Sequence, residues 1–166
     1  MIKLLDCTLR DGGYYTNWDF DNHLTKKYFK YIEKLPIEYI EVGYRSKLKD
    51  EYFGEYFYLP LSTLKMIKQH TSKKLAVMLN AKDCNEIDVV NSLKDTTKFI
   101  SLVRLATDPN EIEFSLKLAK KIKDIGFEVA INIMYISKID KQHVFFSYLE
   151  GIEQYINILN LVDSYG

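Results

Sequence analysis

Apolar positions along the chain follow two spacings in turn. Runs of nearly consecutive apolar residues fall at Ile2 to Cys7, Tyr39 to Gly43, Leu75 to Leu79, Phe99 to Leu105, Phe127 to Ile133 and Ile158 to Val162. Each has the length and the aliphatic or β-branched character of a strand. Runs without alternation are expected of parallel strands covered on both faces. Between them the spacing becomes helical. Asp21 to Leu35 places Leu24, Tyr28, Phe29, Ile32 and Leu35 on one stripe and turns Lys26, Lys27, Lys30 and Lys34 outward. After the fourth run come Asp108 as N-cap, Pro109 in the first turn, Glu111 and finally Gly126 as a stop, with Ile112, Leu116, Ala119 and Ile122 facing the sheet. Asp140 opens a further helix through Phe146, Leu149 and Ile152, weakened by Gly151. The repeated strand and helix predict an α/β fold, and the spacing alone suits either a βα barrel or an open doubly wound sheet.

Composition narrows the function classes. The 166 residues, 47% hydrophobic and 14% aromatic, make one domain over 1–166 with ample core material and no linker or low-complexity segment. Lys plus Arg and Asp plus Glu both number 23, so no basic field exists to hold nucleic acid or an anionic membrane, and neither is expected as a partner. Cys7 and Cys84 are too few for a disulfide framework or a zinc ribbon, which fits a reducing cytoplasm. Lys3 and Asp6 interrupt the start, so no signal-peptide core forms there, and no stretch has transmembrane length.

The first run ends in charge: Leu4-Leu5-Asp6-Cys7-Thr8-Leu9-Arg10-Asp11-Gly12-Gly13. In a βα barrel the carboxyl ends of the strands form the active-site face. A carboxylate at Asp11 suits a hard divalent cation, and Arg10 beside it offers a fixed positive charge to a developing oxyanion. Gly12 and Gly13 would let the backbone turn tightly past a ligand. A plain strand-end salt bridge between Arg10 and Asp11 explains the same two residues equally well from spacing alone.

The run Asp6-Cys7-Thr8-Leu9-Arg10-Asp11-Gly12 resembles the Asp-x-Thr-Leu-Arg-Asp-Gly signature of the metal-dependent aldolase, lyase and synthase superfamily that includes hydroxymethylglutaryl-CoA lyase and isopropylmalate synthase. Ile40-Glu41-Val42-Gly43, Leu102-Val103-Arg104-Leu105-Ala106-Thr107 and Val162-Asp163-Ser164-Tyr165-Gly166 are similar to its second, fourth and sixth strands, with a flavour nearest the 4-hydroxy-2-oxovalerate aldolases. The resemblance implies a TIM-type (β/α)8 barrel of which this chain supplies about six βα units, a complete barrel taking about 250 residues. It also implies carbon–carbon cleavage of a small 2-oxo acid to pyruvate through a metal-stabilised enolate, with Mn2+ or Mg2+ as cofactor. Asp11 would be the metal ligand, Arg10 the catalytic cation, and Glu41, Arg104 and Asp163 substrate contacts. From the residues alone, Glu41 and Arg104 read equally as a buried ion pair, and Asp163 as a helix cap. An acyl-CoA-dependent Claisen-type synthase and a non-catalytic degenerate barrel are the other outcomes the resemblance permits.

Two departures bear on mechanism. The family's His-x-His pair of metal ligands is absent, the only histidines being His23, His70 and His143. Where the aldolase branch carries a histidine base, this chain has Tyr14, an acid or base candidate whose residue type has a reference pKa of about 10 and needs help to act as a base at neutral pH. Asn80 and Asn132 are further cavity candidates or plain strand-end residues. The aromatic stretch from Glu51 to Pro60, preceded by Arg45, reads as a lid with Arg45 reaching a substrate anion, as a subunit contact, or as local packing. Self-association would be one way to cover the open strand edges.

Overall fold

The computed structural model describes residues 2–164. The chain divides into two compact units, Met1–Met78 with Lys98–Ser101, and Leu79–Thr97 with Leu102–Gly166. Strands β1 (Leu5–Asp6), β2 (Tyr39–Tyr44), β3 (Lys74–Asn80), β4 (Ile100–Thr107), β5 (Glu128–Ile133) and β6 (Ile158–Leu161) lie in a sheet whose order follows the chain without reversal. A doubly wound sheet reverses at a switch point, whereas consecutive parallel strands joined by helices are the order of a βα barrel. The architecture is α/β.

In the first unit, Leu5 and Asp6 of β1 pair parallel with Tyr39 and Ile40 of β2, which pairs parallel with β3 through Ile40 and Leu75, the register shifting between Glu41 and Gly43. Every residue of β2 is buried, as expected of a strand covered on both faces. β1 is shorter than its apolar run, since Ile2 and Leu4 are exposed. It stops at Asp6 because the carboxylate of that residue accepts from Thr8 N at 2.9 Å, satisfying the first free N–H of helix α1 (Thr8–Thr16). The expected tight loop at Gly12 and Gly13 is therefore corrected to helix. Helix α2 (Asn22–Ile32) is capped by Asp21, which accepts from Leu24 N at 2.8 Å. Its buried face is Thr25, Phe29 and Ile32, narrower than the predicted stripe. Leu24 lies on the flank and Leu35 beyond the helix end, where the helical period no longer applies, and both are exposed. The short α3 (Glu55–Tyr58) and α4 (Leu61–Lys68) complete this unit.

The second unit contains α5 (Glu86–Leu93), most of β4, α6 (Ile112–Asp124), β5 and β6. Leu102 to Thr107 pair parallel with Glu128 to Ile133, and Ala130 to Ile133 with Ile158 to Leu161. Asp108 accepts from Asn110 N at 2.9 Å and caps a 3-10 turn over Pro109–Glu111 that feeds α6, while Ile112, Leu116, Ala119 and Ile122 are all buried, as their spacing predicts. The helix expected from Asp140 does not form. Two 3-10 turns, Val144–Tyr148 and Ile152–Gln154, replace it, separated by Gly151 at φ 74°, and Phe146 is exposed. His143 Nδ1 accepts from Phe145 N at 3.1 Å and starts the first turn.

Candidate functional site

The charged residues after β1 are held by the second strand. Arg10, in the first turn of α1, donates from Nε to Oε2 of Glu41 at 2.8 Å, and its Nη1 pairs with Asp11 Oδ1. The three side chains are graded from inside to outside: Glu41 is wholly buried, Arg10 is 16% exposed and Asp11 58% exposed. Burial opposes the charge on Arg10, but Glu41, and after it Asp11, outweigh that cost and push its pKa above the usual arginine value. The guanidinium is thus a fixed cation. The salt bridge between Arg10 and Asp11 exists, and its outer carboxylate is accessible.

Trp18 fastens this helix. It is buried, its backbone lies at φ 56° after Asn17 at 52°, and its Nε1 donates to the Arg10 carbonyl at 3.0 Å. A Cβ on Gly13 would lie 2.1 Å from the indole, so the glycine makes room for the tryptophan and does not serve a turn past a ligand. Trp18 stands edge to face with Tyr14 at 4.8 Å and Tyr44 at 5.4 Å, and packs on Phe57 at 4.9 Å. The Tyr14 and Tyr44 hydroxyls are 2.8 Å apart. Asp6 adds a second anchor, accepting from Thr8 Oγ1 at 3.1 Å and Tyr28 OH at 2.5 Å. Burial, then this bond, raises the Tyr28 pKa above its usual value.

Much of the aromatic stretch beyond Arg45 packs within its own unit, although Tyr52 is exposed. Tyr56, Phe57 and Leu59 are buried, and Phe53 stacks on Phe57 at 4.2 Å. Burial pushes the Tyr56 phenol up to about 12. Arg45 Nη1 donates to the carbonyls of Tyr58 at 3.1 Å and Leu59 at 2.5 Å, so it clasps the end of α3.

In the second unit the strand ends carry amides. Asn132 Oδ1, buried on β5, accepts from Asn160 Nδ2 on β6 at 2.8 Å. Arg104 is half-buried on β4, and the exposed Asp163 accepts from Ser137 Oγ at 3.3 Å. Tyr165 and Gly166 of the sixth-strand segment lie outside the described residues. Asn80 does border a cavity, of about 200 Å³, together with Lys82, Ala106, Asp108, Glu111, Met134 and Tyr135. His23 and His70 line an open surface hollow with Lys26, Lys27 and Lys30.

Among the described residues no three His, Cys, Asp or Glu side chains converge as a metal site. Mn2+ and Mg2+ need several oxygen ligands, and the motif supplies one accessible carboxylate, itself paired with Arg10. These residues do not make a metal centre by themselves, and no catalytic step is derived through a cation.

No family model matches the chain, and no curated protein does. Among solved structures, the N-terminal domain of a "putative aldolase" from Bacteroides vulgatus matches with TM-score 0.95 and 44% identity, over 99% of this chain and 55% of that one. This chain therefore spans about half the length of that relative. The carboxyl transferase domain of Rhizobium etli pyruvate carboxylase matches with TM-score 0.75 (its Y628A form, with pyruvate) and 0.73. The identities are 15% and 16%, covering 98% of this chain and 31% and 30% of those chains. The fold is part of a TIM-type barrel. No helix among the described residues is long and apolar enough to cross a membrane.

Sequence reasoning singled out Arg10, Asp11, Glu41 and Tyr14, and the structure brings them together in one unit. It missed Asp6, Trp18, Tyr28 and Tyr44. Only Asp6 left a local signal, an acidic residue two positions before a threonine where a helix starts.

Proposed function

We propose that this chain belongs to a divalent-metal-dependent carbon–carbon lyase that cleaves a 4-hydroxy-2-oxo acid by a retro-aldol reaction and releases pyruvate. The observation that carries the reading is the Arg10 guanidinium, held at the carboxyl end of β1 by a buried carboxylate and kept permanently charged. Such a group costs several kcal/mol to desolvate, and it suits an oxygen that gains negative charge as the carbon–carbon bond breaks. The name carried by the Bacteroides vulgatus relative supports the same class.

In this scheme Arg10 offsets the charge on the enolate oxygen and Glu41 is a positioning residue acting through Arg10. Asp11 would be one ligand of a Mn2+ or Mg2+ ion completed by groups other than those of this motif, and such an ion would supply Lewis-acid chemistry. Arg45 contributes by holding α3. A second reading, a barrel that binds without catalysis, draws support from the closed Arg10–Asp11 pair.

The test is pyruvate release from 4-hydroxy-2-oxo acids by the purified protein with Mn2+ or Mg2+, followed with lactate dehydrogenase. Arg10→Lys, which keeps charge but loses the fork to two carboxylates, is expected to lower turnover on the order of 100-fold. Asp11→Asn is expected to lower bound Mn2+. Absence of pyruvate with either metal sinks the lyase, and equal metal in Asp11→Asn and parent removes Asp11 as a ligand.

A further inference from the structure

The two phenols beside Arg10 are joined oxygen to oxygen at 2.8 Å, and their surroundings differ sharply. Tyr44 is 7% exposed on a buried strand, while Tyr14 is 62% exposed on α1. A buried hydroxyl with no acceptor forfeits a bond that water would otherwise supply. Among the described residues Tyr14 is the one hydrogen-bond partner of the Tyr44 hydroxyl. Either hydroxyl could donate in this bond; the assignment that leaves the less exposed Tyr44 hydrogen with a partner has Tyr44 donating and Tyr14 accepting. A hydroxyl that accepts on one side keeps its own hydrogen for the other, so the Tyr14 O–H is left for its exposed side.

Two further features position the Tyr14 ring. Tyr14 follows Arg10 by four positions on α1, which puts both on one helical face. Trp18 holds the Tyr14 ring edge to face and ties itself to the Arg10 carbonyl. Burial, then the bond with Tyr14, holds the proton on Tyr44 by raising its pKa above the usual tyrosine value.

We infer that Tyr14 is a general acid that delivers its proton to the enolate carbon of nascent pyruvate, and that Tyr44 is the positioning residue that gives this proton its direction. The inference rests on the retro-aldol reading and assigns the step that follows cleavage. When the C3–C4 bond breaks, its electron pair is left in the enolate. That pair forms a C3–H bond with the Tyr14 hydrogen, the Tyr14 O–H bond breaks, and its electrons remain on the phenolate, which the Tyr44 O–H stabilises. The 4-hydroxyl proton leaves to a solvent water as the C4 carbonyl forms, and the phenolate is reprotonated from solvent, so the proton count closes over each turnover.

The reverse of this step exchanges the methyl hydrogens of pyruvate with D2O and is read by proton NMR with the full protein, Mg2+ and pyruvate. Tyr14→Phe is expected to lose exchange by on the order of 100-fold and Tyr44→Phe by about 10-fold, while both still bind pyruvate. Thermal melting reads the donor direction without activity. Tyr14→Phe strands the buried Tyr44 donor and is expected to melt lower than Tyr44→Phe, and the double variant to recover toward the parent. Exchange at the parent rate in Tyr14→Phe overturns the acid role, and a lower melting point for Tyr44→Phe than for Tyr14→Phe overturns the donor direction. If the parent itself releases no pyruvate from 4-hydroxy-2-oxo acids, the lyase reading falls and the acid role with it, while the melting comparison still judges the tyrosine pair.

Discussion

The region around β1 and β2 in the first unit and that at β5 and β6 in the second are built from opposite materials. At the first pair, a buried glutamate, a nearly buried arginine and an accessible aspartate are chained together. At the second, Asn132 and Asn160 meet side chain to side chain with no charge. Two neutral amides joined by one hydrogen bond carry no ionic desolvation cost. Two buried ions do not, because several kcal/mol of desolvation per ion must be offset by fixed geometry. The first region accordingly carries supports the second lacks: the Asp6 cap, the Trp18 bond to the Arg10 carbonyl, and a glycine cut to fit the indole. Charge is concentrated where the fold spends residues to hold it still.

Substitutions at the two places should separate accordingly. Glu41→Gln leaves Arg10 buried with its inner anion gone and is expected to cost about 3 kcal/mol in urea unfolding; a loss below about 1 kcal/mol would mean the ion pair is not what holds the region. Asn160→Leu leaves the buried Asn132 carbonyl without its donor and should cost about 1–2 kcal/mol by the same measurement. An equal or larger loss than at Glu41 would erase the contrast. The smallest effect belongs to Glu33, remote from both places, whose carboxyl is held below the usual glutamate value by bonds from Ser72 and Thr71. A lowered carboxyl pKa contributes stability above the unfolded value, about 4.3, and loses it as pH falls through the folded one. Glu33→Gln should therefore flatten the decline of the urea midpoint below about pH 5; an unchanged slope would place the acid sensitivity elsewhere.

The strands were legible because parallel strands buried on both faces write themselves as unbroken apolar runs, and β2 and β5 match theirs closely. The start of α6 was legible through Asp108 and Pro109, whose chemistry is local. Helix α1 was not. Two adjacent glycines argue against a helix at about 1 kcal/mol each, and only the distant ring of Trp18 explains why one is needed. The turns after Asp140 failed for the opposite reason: the apolar spacing was helical, but His143 and Gly151 divide the segment. Glu41 was recognisable as a charge in a buried strand, while its bond to Arg10 spans 31 positions and could not be read from either neighbourhood. Tyr44, at the edge of an apolar run, gave no sign of its bond to Tyr14.

Trp18 is the sole tryptophan in the chain, and it rests against the helix that carries Arg10 and Tyr14. Its near-ultraviolet emission therefore comes from one spot, with no other indole to dilute the signal. Any small molecule that shifts α1 by a fraction of an ångström will alter the wavelength or yield of that light, giving an unlabelled optical titration of the site with a built-in origin.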